Sequence, residues 1–284
     1  MKKSEIKNKH VQKEVEKNKI LQQIDKRYTD KEKTAIAEGG RIVPGYSKVP
    51  VIDFDGERIR FGVISDTHFG SVYTNEEHYI QALKEFKKER CEFIIHSGDV
   101  TEGMSNRPGH TYECNKLGYD AQKEYAIEML SLWKKPMYII DGNHDRWYIK
   151  SNGALIVKDI CEQLPKAHYL GHDEGDISLK GKSILKLWHG EDGNSYAISY
   201  RMQKVVESLT GGEKPGMMLM GHTHKQGYFF ERHVHIFGAG CIESQSKWMR
   251  GKRIAAHVGF WIVDVWVNKQ GISKVRSTWY PFYG

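Results

Sequence analysis

Short apolar runs that each stop at a polar motif recur along this chain, and they constrain the fold more than any other feature. From Arg58 the order is strand, loop, helix, repeated. Residues 59–65 are β-branched and apolar and end at Asp66-Thr67-His68. Residues 92–96 form a second run that ends at Gly98-Asp99, and Met137–Ile140 ends at Gly142-Asn143-His144-Asp145. Between the runs, Asn75 reads as the N-cap of a helix carrying Ile80, Leu83 and Phe86. Residues 121–133 read as a second helix with Tyr125, Met129, Leu130 and Trp133 on one face. This βαβαβ order predicts neighbouring, mostly parallel strands joined by right-handed crossovers. In such sheets functional groups collect at the carboxyl ends of the strands, where Asp66, Asp99 and Asn143 all fall.

A helix over 154–164 is expected next, and the second half then turns β-rich. Ser183–Trp188 ends at His189-Gly190, and Met217–Met220 ends at Gly221-His222-Thr223-His224. Residues 228–231, 234–237, 259–267 and 273–280 read as further strands. Ahead of the body, residues 4–28 place Ile6, Val11, Val15, Leu21, Ile24 and Tyr28 near one helical face amid Lys and Glu. That is an amphipathic helix, either packed or solvated, or an arm for nucleic acid or a protein partner. Gly39-Gly40, Pro44-Gly45 and Pro50 mark a linker, dividing a helical arm over 1–50 from a body over 51–284.

The formal charge of the 284 residues is +7, and its location decides its meaning. Residues 1–33 hold eleven Lys/Arg against six Asp/Glu, whereas the rest of the chain holds 32 against 30. The body is nearly neutral, so the basic pI alone does not argue for nucleic-acid binding. Cys91, Cys114, Cys161 and Cys241 form no C-x-x-C pair, which predicts reduced thiols rather than a disulfide framework or a zinc knuckle. No apolar run reaches membrane-spanning length, and the basic N-terminus lacks the apolar stretch of a signal peptide. The expectation is a soluble cytoplasmic protein with no membrane partner; its oligomeric state is open.

Asp66, His68, Asp99, Asn143, His189, His222 and His224 offer carboxylate, imidazole and amide atoms. That mix suits borderline divalent ions better than a soft, thiolate-selected one. Residues two apart in extended chain point the same way, so Asp66 and His68 should face one metal and His222 and His224 should line one wall. Seven ligands exceed the need of one ion of about four to six ligands, and they suffice for two if Asp99 bridges. His96, just before Gly98-Asp99, reads as a core or supporting residue rather than a ligand.

In order and spacing these five motifs resemble the calcineurin-like metallophosphoesterase superfamily over about residues 58–284, within it the bacterial and phage DNA-repair exonuclease branch. The resemblance implies an α/β fold, a four-layer α/β/β/α sandwich with two mixed β-sheets. It implies a first metal on Asp66, His68, Asp99 and His224 and a second on Asp99, Asn143, His189 and His222. His144 takes the place of the catalytic histidine that contacts the phosphoryl oxygen and protonates the leaving oxygen, and Asp145 would orient it. The implied cofactors are two divalent ions, Mn²⁺ first, with Fe²⁺, Zn²⁺, Ni²⁺ or Mg²⁺ as alternatives. The implied reaction is in-line phosphoester hydrolysis by a metal-bridging hydroxide.

Substrate contacts are less legible. Asn106, Arg107 and His110 follow Asp99 in a loop that either reaches substrate or is solvated. Lys247, Trp248 and Arg250 open a basic stretch running to Arg253, read either as a phosphate-neutralising, base-stacking segment or as a charged surface hairpin. The leading expectation is a phosphodiesterase or nuclease on DNA. A small-molecule phosphoesterase acting on nucleotides, cyclic nucleotides or phosphomonoesters is the alternative, and a non-catalytic scaffold the third.

Overall fold

Strand β2 (Arg58–Ile64) shows how one stretch of sequence serves two cores. With side chains alternating across a strand, Ile59, Phe61 and Val63 enter one buried cluster and Ile64 enters another. Strands β3 (Phe93–His96) and β4 (Met137–Ile140) do the same, with Phe93, Ile95, Tyr138 and Ile140 on one side and Ile94, Met137 and Ile139 on the other. A strand buried on both faces needs a near-continuous apolar run, which is what the sequence displays.

The protein, seen in a computed structural model, is described over residues 49–190, 197–209 and 214–283. The amphipathic helix expected over 4–28 and the linker glycines lie outside the described residues. In chain order the helices are α1 (Glu76–Lys88), α2 (Tyr119–Leu130), α3 (Trp147–Asn152), α4 (Ile156–Gln163), α5 (Tyr200–Ser208) and α6 (Lys247–Gly251). The other strands are β1 (Val51–Ile52), β5 (Ala167–Gly171), β6 (Glu174–Leu179), β7 (Ser183–Trp188), β8 (Met217–Met220), β9 (Gln226–Glu231), β10 (Val234–Ala239), β11 (Gly259–Asn268) and β12 (Gly271–Pro281).

Two six-stranded mixed sheets form, in the orders β1-β6-β7-β8-β10-β9 and β12-β11-β2-β3-β4-β5. β2 to β5 are parallel neighbours, as the βαβ reading requires, and β11 closes on β2 antiparallel. The sheets share a core in which Phe61, Val63, Ile95 and Ile140 meet Ile177, Leu185, Leu219 and Phe237. On its outer face the β2–β5 sheet carries α1, α2 and α4 through Tyr79, Phe86, Tyr125, Met129 and Ile160. Met202 of α5 packs against Gly238 of β10 on the other sheet. The α/β/β/α order is therefore observed.

Local rules account for most boundaries. Asn75 caps α1, its side chain accepting from His78 N at 3.0 Å. Glu76 and Glu77 lie in the first turn and Lys87 and Lys88 in the last, each complementing the helix dipole. The helix expected over 154–164 is α4, and α3 is an additional short helix ahead of it that ends where the chain turns left-handed at Gly153 (φ 75°). Helix α5 was not anticipated; only Met202 and Val206 of its nine residues are buried, too few for a clear period. All four cysteines are unpaired. Among the described residues no helix is long and apolar enough to cross a membrane.

Candidate metal centre

The strand ends converge because the loops that follow them are sewn together. Asp66 N donates to Gly98 O at 3.0 Å, His68 N to Asp99 O at 3.1 Å and Phe69 N to Val100 O at 2.9 Å. The loop after β8 is tied in by His222 N, which donates to Asp66 Oδ1 at 3.2 Å. Asp66, His68, Asp99, His222 and His224 all adopt positive φ, between 44° and 73°. Non-glycine residues there cost on the order of 1–3 kcal/mol each, and such strain concentrates at functional sites. The extended chain expected at Asp66-x-His68 and His222-x-His224 is corrected accordingly. Each pair is a left-handed turn, and the two histidines of the second pair part company.

His224 Nε2 lies 3.2 Å from Asp66 Oδ1, and His68 Nε2 lies 4.0 Å from the same oxygen. Asp66, His68 and His224 thus form one candidate ligand group, and Asp99, His189 and His222 form another. Asp99 Oδ2 is 3.7 Å from His68 Nε2 and 3.2 Å from His189 Nε2, so it faces both groups. Asn143 Oδ1 joins the second, 3.2 Å from His189 Nε2 and 2.8 Å from His222 Nδ1. Gly142 is needed for this approach: a Cβ there would lie 2.2 Å from Asp99 Oδ1 and 2.7 Å from His189 Nε2.

These donors fit divalent cations on two observations. His68 Nε2 is buried with no hydrogen-bond partner, although carboxylate oxygens surround it. His189 Nδ1 donates to Ser97 O at 2.7 Å, which turns the lone pair of Nε2 toward Asn143 Oδ1 and Asp99 Oδ2. Three acceptors at that spacing need a proton or a metal ion between them. Without a cation, protons take the role. Burial lowers the His68 pKa, but Glu243, Glu102 and Asp99 overcome it and hold it at about 10. Burial likewise opposes the charge on His189, and Asp99 and Asp66 still raise it to about 9. Asp66 is held at about 2, its burial outweighed by His224, and Asp99 lies well below the usual carboxylate range through His189 and His144. His222 moves the other way, down to about 4, through burial and the neighbouring His189. Metal ions would replace these protons.

His144 is placed beside the centre. Its backbone N donates to Asp99 Oδ1 at 2.8 Å, and its Nδ1 donates to Glu102 O at 2.9 Å, leaving Nε2 for a ligand. Its ring stands edge-on to His68, with centroids 4.5 Å apart, and leans on Trp147 at 4.0 Å.

Asp145 does not orient His144, and that expectation is corrected. Its Oδ2 accepts from Val100 N (3.0 Å) and Gly142 N (2.9 Å), and its Oδ1 accepts from Thr101 N and Thr101 Oγ1 (both 2.7 Å). It clamps the loop after β3 to the turn after β4. Burial and Asp99 push its carboxyl up to about 6, while four donors serve the ionised form.

Two buried glutamates were missed. Glu102 accepts from His68 Nδ1 at 2.9 Å through Oε2 and from His110 Nε2 at 2.8 Å through Oε1. Glu243 accepts from Ser71 Oγ at 3.0 Å, and its other oxygen lies 3.8 Å from His68 Nε2. The proximity of Glu102 to Gly98-Asp99 was the one available signal. His110 is neither solvated nor aimed at substrate: it is 1% exposed and bound to Glu102. Asn106 and Arg107 are exposed, with Arg107 paired to Glu113. His96 supports the first loop, bonding Thr67 Oγ1 at 2.9 Å. The Lys247–Arg253 stretch is not a hairpin. It opens with α6, capped by Ser246 accepting from Met249 N. Met249 is buried, Trp248 is half exposed, and Lys247 and Arg250 face solvent.

A family model for the calcineurin-like phosphoesterase superfamily domain matches residues 59–258. The DNA polymerase II small subunit of Methanothermobacter thermautotrophicus is 21% identical over 277 residues, covering 82% of this chain and 56% of that protein. That of Archaeoglobus fulgidus is 23% identical over 276 residues, covering 81% and 55%. The chain thus spans about half the length of these curated relatives. Among solved structures, an archaeal phosphodiesterase is 16% identical with a TM-score of 0.46, covering 78% of this chain and 100% of that one.

Proposed function

This chain belongs to the calcineurin-like phosphoesterase superfamily, and from that premise we propose that it is a metal-dependent phosphoesterase that hydrolyses phosphodiesters of nucleic acid, DNA foremost, using two adjacent divalent ions. The observation that carries the two-ion reading is Asp99 Oδ2, which faces His68 Nε2 and His189 Nε2 at 3.7 and 3.2 Å and so can serve both ligand groups. Asp66, His68 and His224 would hold one ion and Asn143, His189 and His222 the other. Mn²⁺ suits the mixed oxygen and nitrogen donors, with Fe²⁺, Zn²⁺, Ni²⁺ and Mg²⁺ as the other choices.

When bound, such ions supply Lewis acidity: they lower the pKa of water and screen the charge of the phosphoryl group. The chain's own residues do the rest. His144 holds its ring by Nδ1 on Glu102 O, which presents Nε2 to the substrate. Asp99 and Glu102 raise the His144 pKa against the opposing effect of burial. A protonated Nε2 then steadies charge on the phosphoryl oxygens or gives its proton to the departing alkoxide.

Two features support nucleic acid as substrate. The relatives with which this chain aligns bear the name DNA polymerase II small subunit. Lys247, Arg250, Lys252 and Arg253 lie within seven residues around the half-exposed Trp248, a few residues after Glu243 beside His68. Cations with an interleaved aromatic suit a phosphate backbone and a stacked base. The nearly neutral body instead favours a small phosphoester as the second reading. An Mn²⁺-supplemented panel of single- and double-stranded DNA, RNA, bis-p-nitrophenyl phosphate and p-nitrophenyl phosphate decides between them. Cleavage of DNA with salt-sensitive KM is expected; rapid monoester cleavage with inert polynucleotides would overturn the nucleic-acid reading.

A further inference from the structure

His68 Nε2, buried and without a hydrogen-bond partner, is surrounded by three carboxylate oxygens at nearly equal distance. They are Asp99 Oδ2 at 3.7 Å, Glu243 Oε2 at 3.8 Å and Asp66 Oδ1 at 4.0 Å. A cation about 2.0–2.2 Å from each ligand atom sets neighbouring ligands about 3.0–3.6 Å apart. The three distances from His68 Nε2 close to that range with a shift of about half an ångström. Two of the three carboxylates were already legible as ligands. Glu243 was not.

Glu243 is built into the centre rather than draped over it. Its backbone N donates to Asp66 O at 3.1 Å, and the preceding Ile242 N donates to Ser65 O at 3.1 Å. Ser71 Oγ takes up Oε1 at 3.0 Å, and this leaves Oε2 on the side of His68. Ser71 N is itself held by His68 O at 2.9 Å, so the serine, the histidine and the glutamate share one frame. The residue is 4% exposed, and a carboxylate that buried either takes a proton or meets a cation; with no metal bound, the nearest cation is a protonated His68 ring, Nε2 at 3.8 Å. Among the described residues no lysine or arginine pairs with it.

We propose that Glu243 is an additional ligand of the ion held by Asp66, His68, Asp99 and His224, making that ion's shell three carboxylates and two imidazoles. The inference rests on the metal-binding reading above. It makes the two halves of the centre unequal. The first half gathers three negative charges. The second has only its share of Asp99, the neutral amide of Asn143 and the imidazoles of His189 and His222. The first half is then the tighter site, and its extra oxygen shifts preference from Zn²⁺ toward the harder Mn²⁺ and Mg²⁺.

The test is Mn²⁺ titration of the full chain by calorimetry, with free Mn²⁺ followed by electron paramagnetic resonance and Zn²⁺ competition run in parallel. Wild type should show two classes of site. Glu243→Gln keeps the shape and an acceptor for Ser71 but halves the ligand's character. It should weaken the tighter class about 10–100-fold, leave the other within about twofold and narrow the preference for Mn²⁺ over Zn²⁺. Ser71→Ala removes the hydroxyl that aims Glu243 and also accepts from Tyr73 N at 3.1 Å, and it should weaken the same class by a smaller factor. If Glu243→Gln does not fold, Ser71→Ala decides alone. Variants that titrate like wild type, or that weaken both classes equally, overturn the assignment. A wild-type chain that binds no Mn²⁺ at all would overturn the metal-binding reading itself.

Discussion

Asp145→Asn isolates the clamp that holds the centre together, because it changes donor character without changing shape. The carboxylate accepts four bonds, from Val100 N, Gly142 N, Thr101 N and Thr101 Oγ1. An asparagine has one oxygen to offer and must turn an NH₂ toward some of these donors. The least costly choice faces the NH₂ to Thr101, whose hydroxyl can rotate and accept; Thr101 N then has no acceptor. One bond to a charged acceptor is lost, worth about 1.5–3 kcal/mol, and one buried N–H is orphaned at about 1–3 kcal/mol. The smaller desolvation of a neutral amide returns part of this, for a net loss of about 3 kcal/mol. At about 2–4 °C per kcal/mol for a body of this size, Tm should fall by about 6–12 °C in a thermal scan with EDTA. Since the clamp sets Asp99 against Asn143, affinity for Mn²⁺ should fall with it. Unchanged Tm and metal affinity, with a pH–rate profile altered as in a His144 variant, would refute the clamp and return Asp145 to orienting His144.

His144→Ala should retain both metal ions by elemental analysis and lose about 10²–10⁴-fold in kcat on bis-p-nitrophenyl phosphate; loss of metal would count against its role on substrate. Glu102→Gln leaves one oxygen for two imidazole donors, His68 Nδ1 and His110 Nε2, and should weaken Mn²⁺ binding about 10–100-fold by calorimetry. The pH response follows from His68 and His189, raised in the metal-free chain to about 10 and 9 from an ordinary 6.5. Their stabilising contribution is complete below about pH 6.5 and is lost as pH rises through about 9–10, so Tm in EDTA should decline across that window. Metal must displace those protons, so calorimetry in buffers of different ionisation enthalpy should show proton release at pH 7 and affinity rising with pH. A pH-independent affinity would contradict the geometry.

What the sequence determined by itself is local and periodic. Near-continuous apolar runs at 59–64, 93–96 and 137–140 suit strands with cores on both faces, so β2, β3 and β4 and their three ligand-bearing ends were readable. So were the histidine motifs after β7 and β8, since a strand that stops at a polar turn announces its own end. The tertiary structure decided what each polar residue touches. Glu102 meets His68 across 34 positions and Glu243 meets Ser71 across 172. Apart from the nearness of Glu102 to Gly98-Asp99, nothing in either segment distinguishes these carboxylates from the other acidic residues among the chain's 36. His110 and Asp145 show the same limit: a histidine in a loop read as reaching substrate or solvated proved buried, and an aspartate beside a histidine turned its oxygens to Thr101 and to backbone donors instead. Backbone hydrogen bonds and burial between distant loops fix such partners, and they come into being only when two sheets close on a shared core and bring five strand ends to one place.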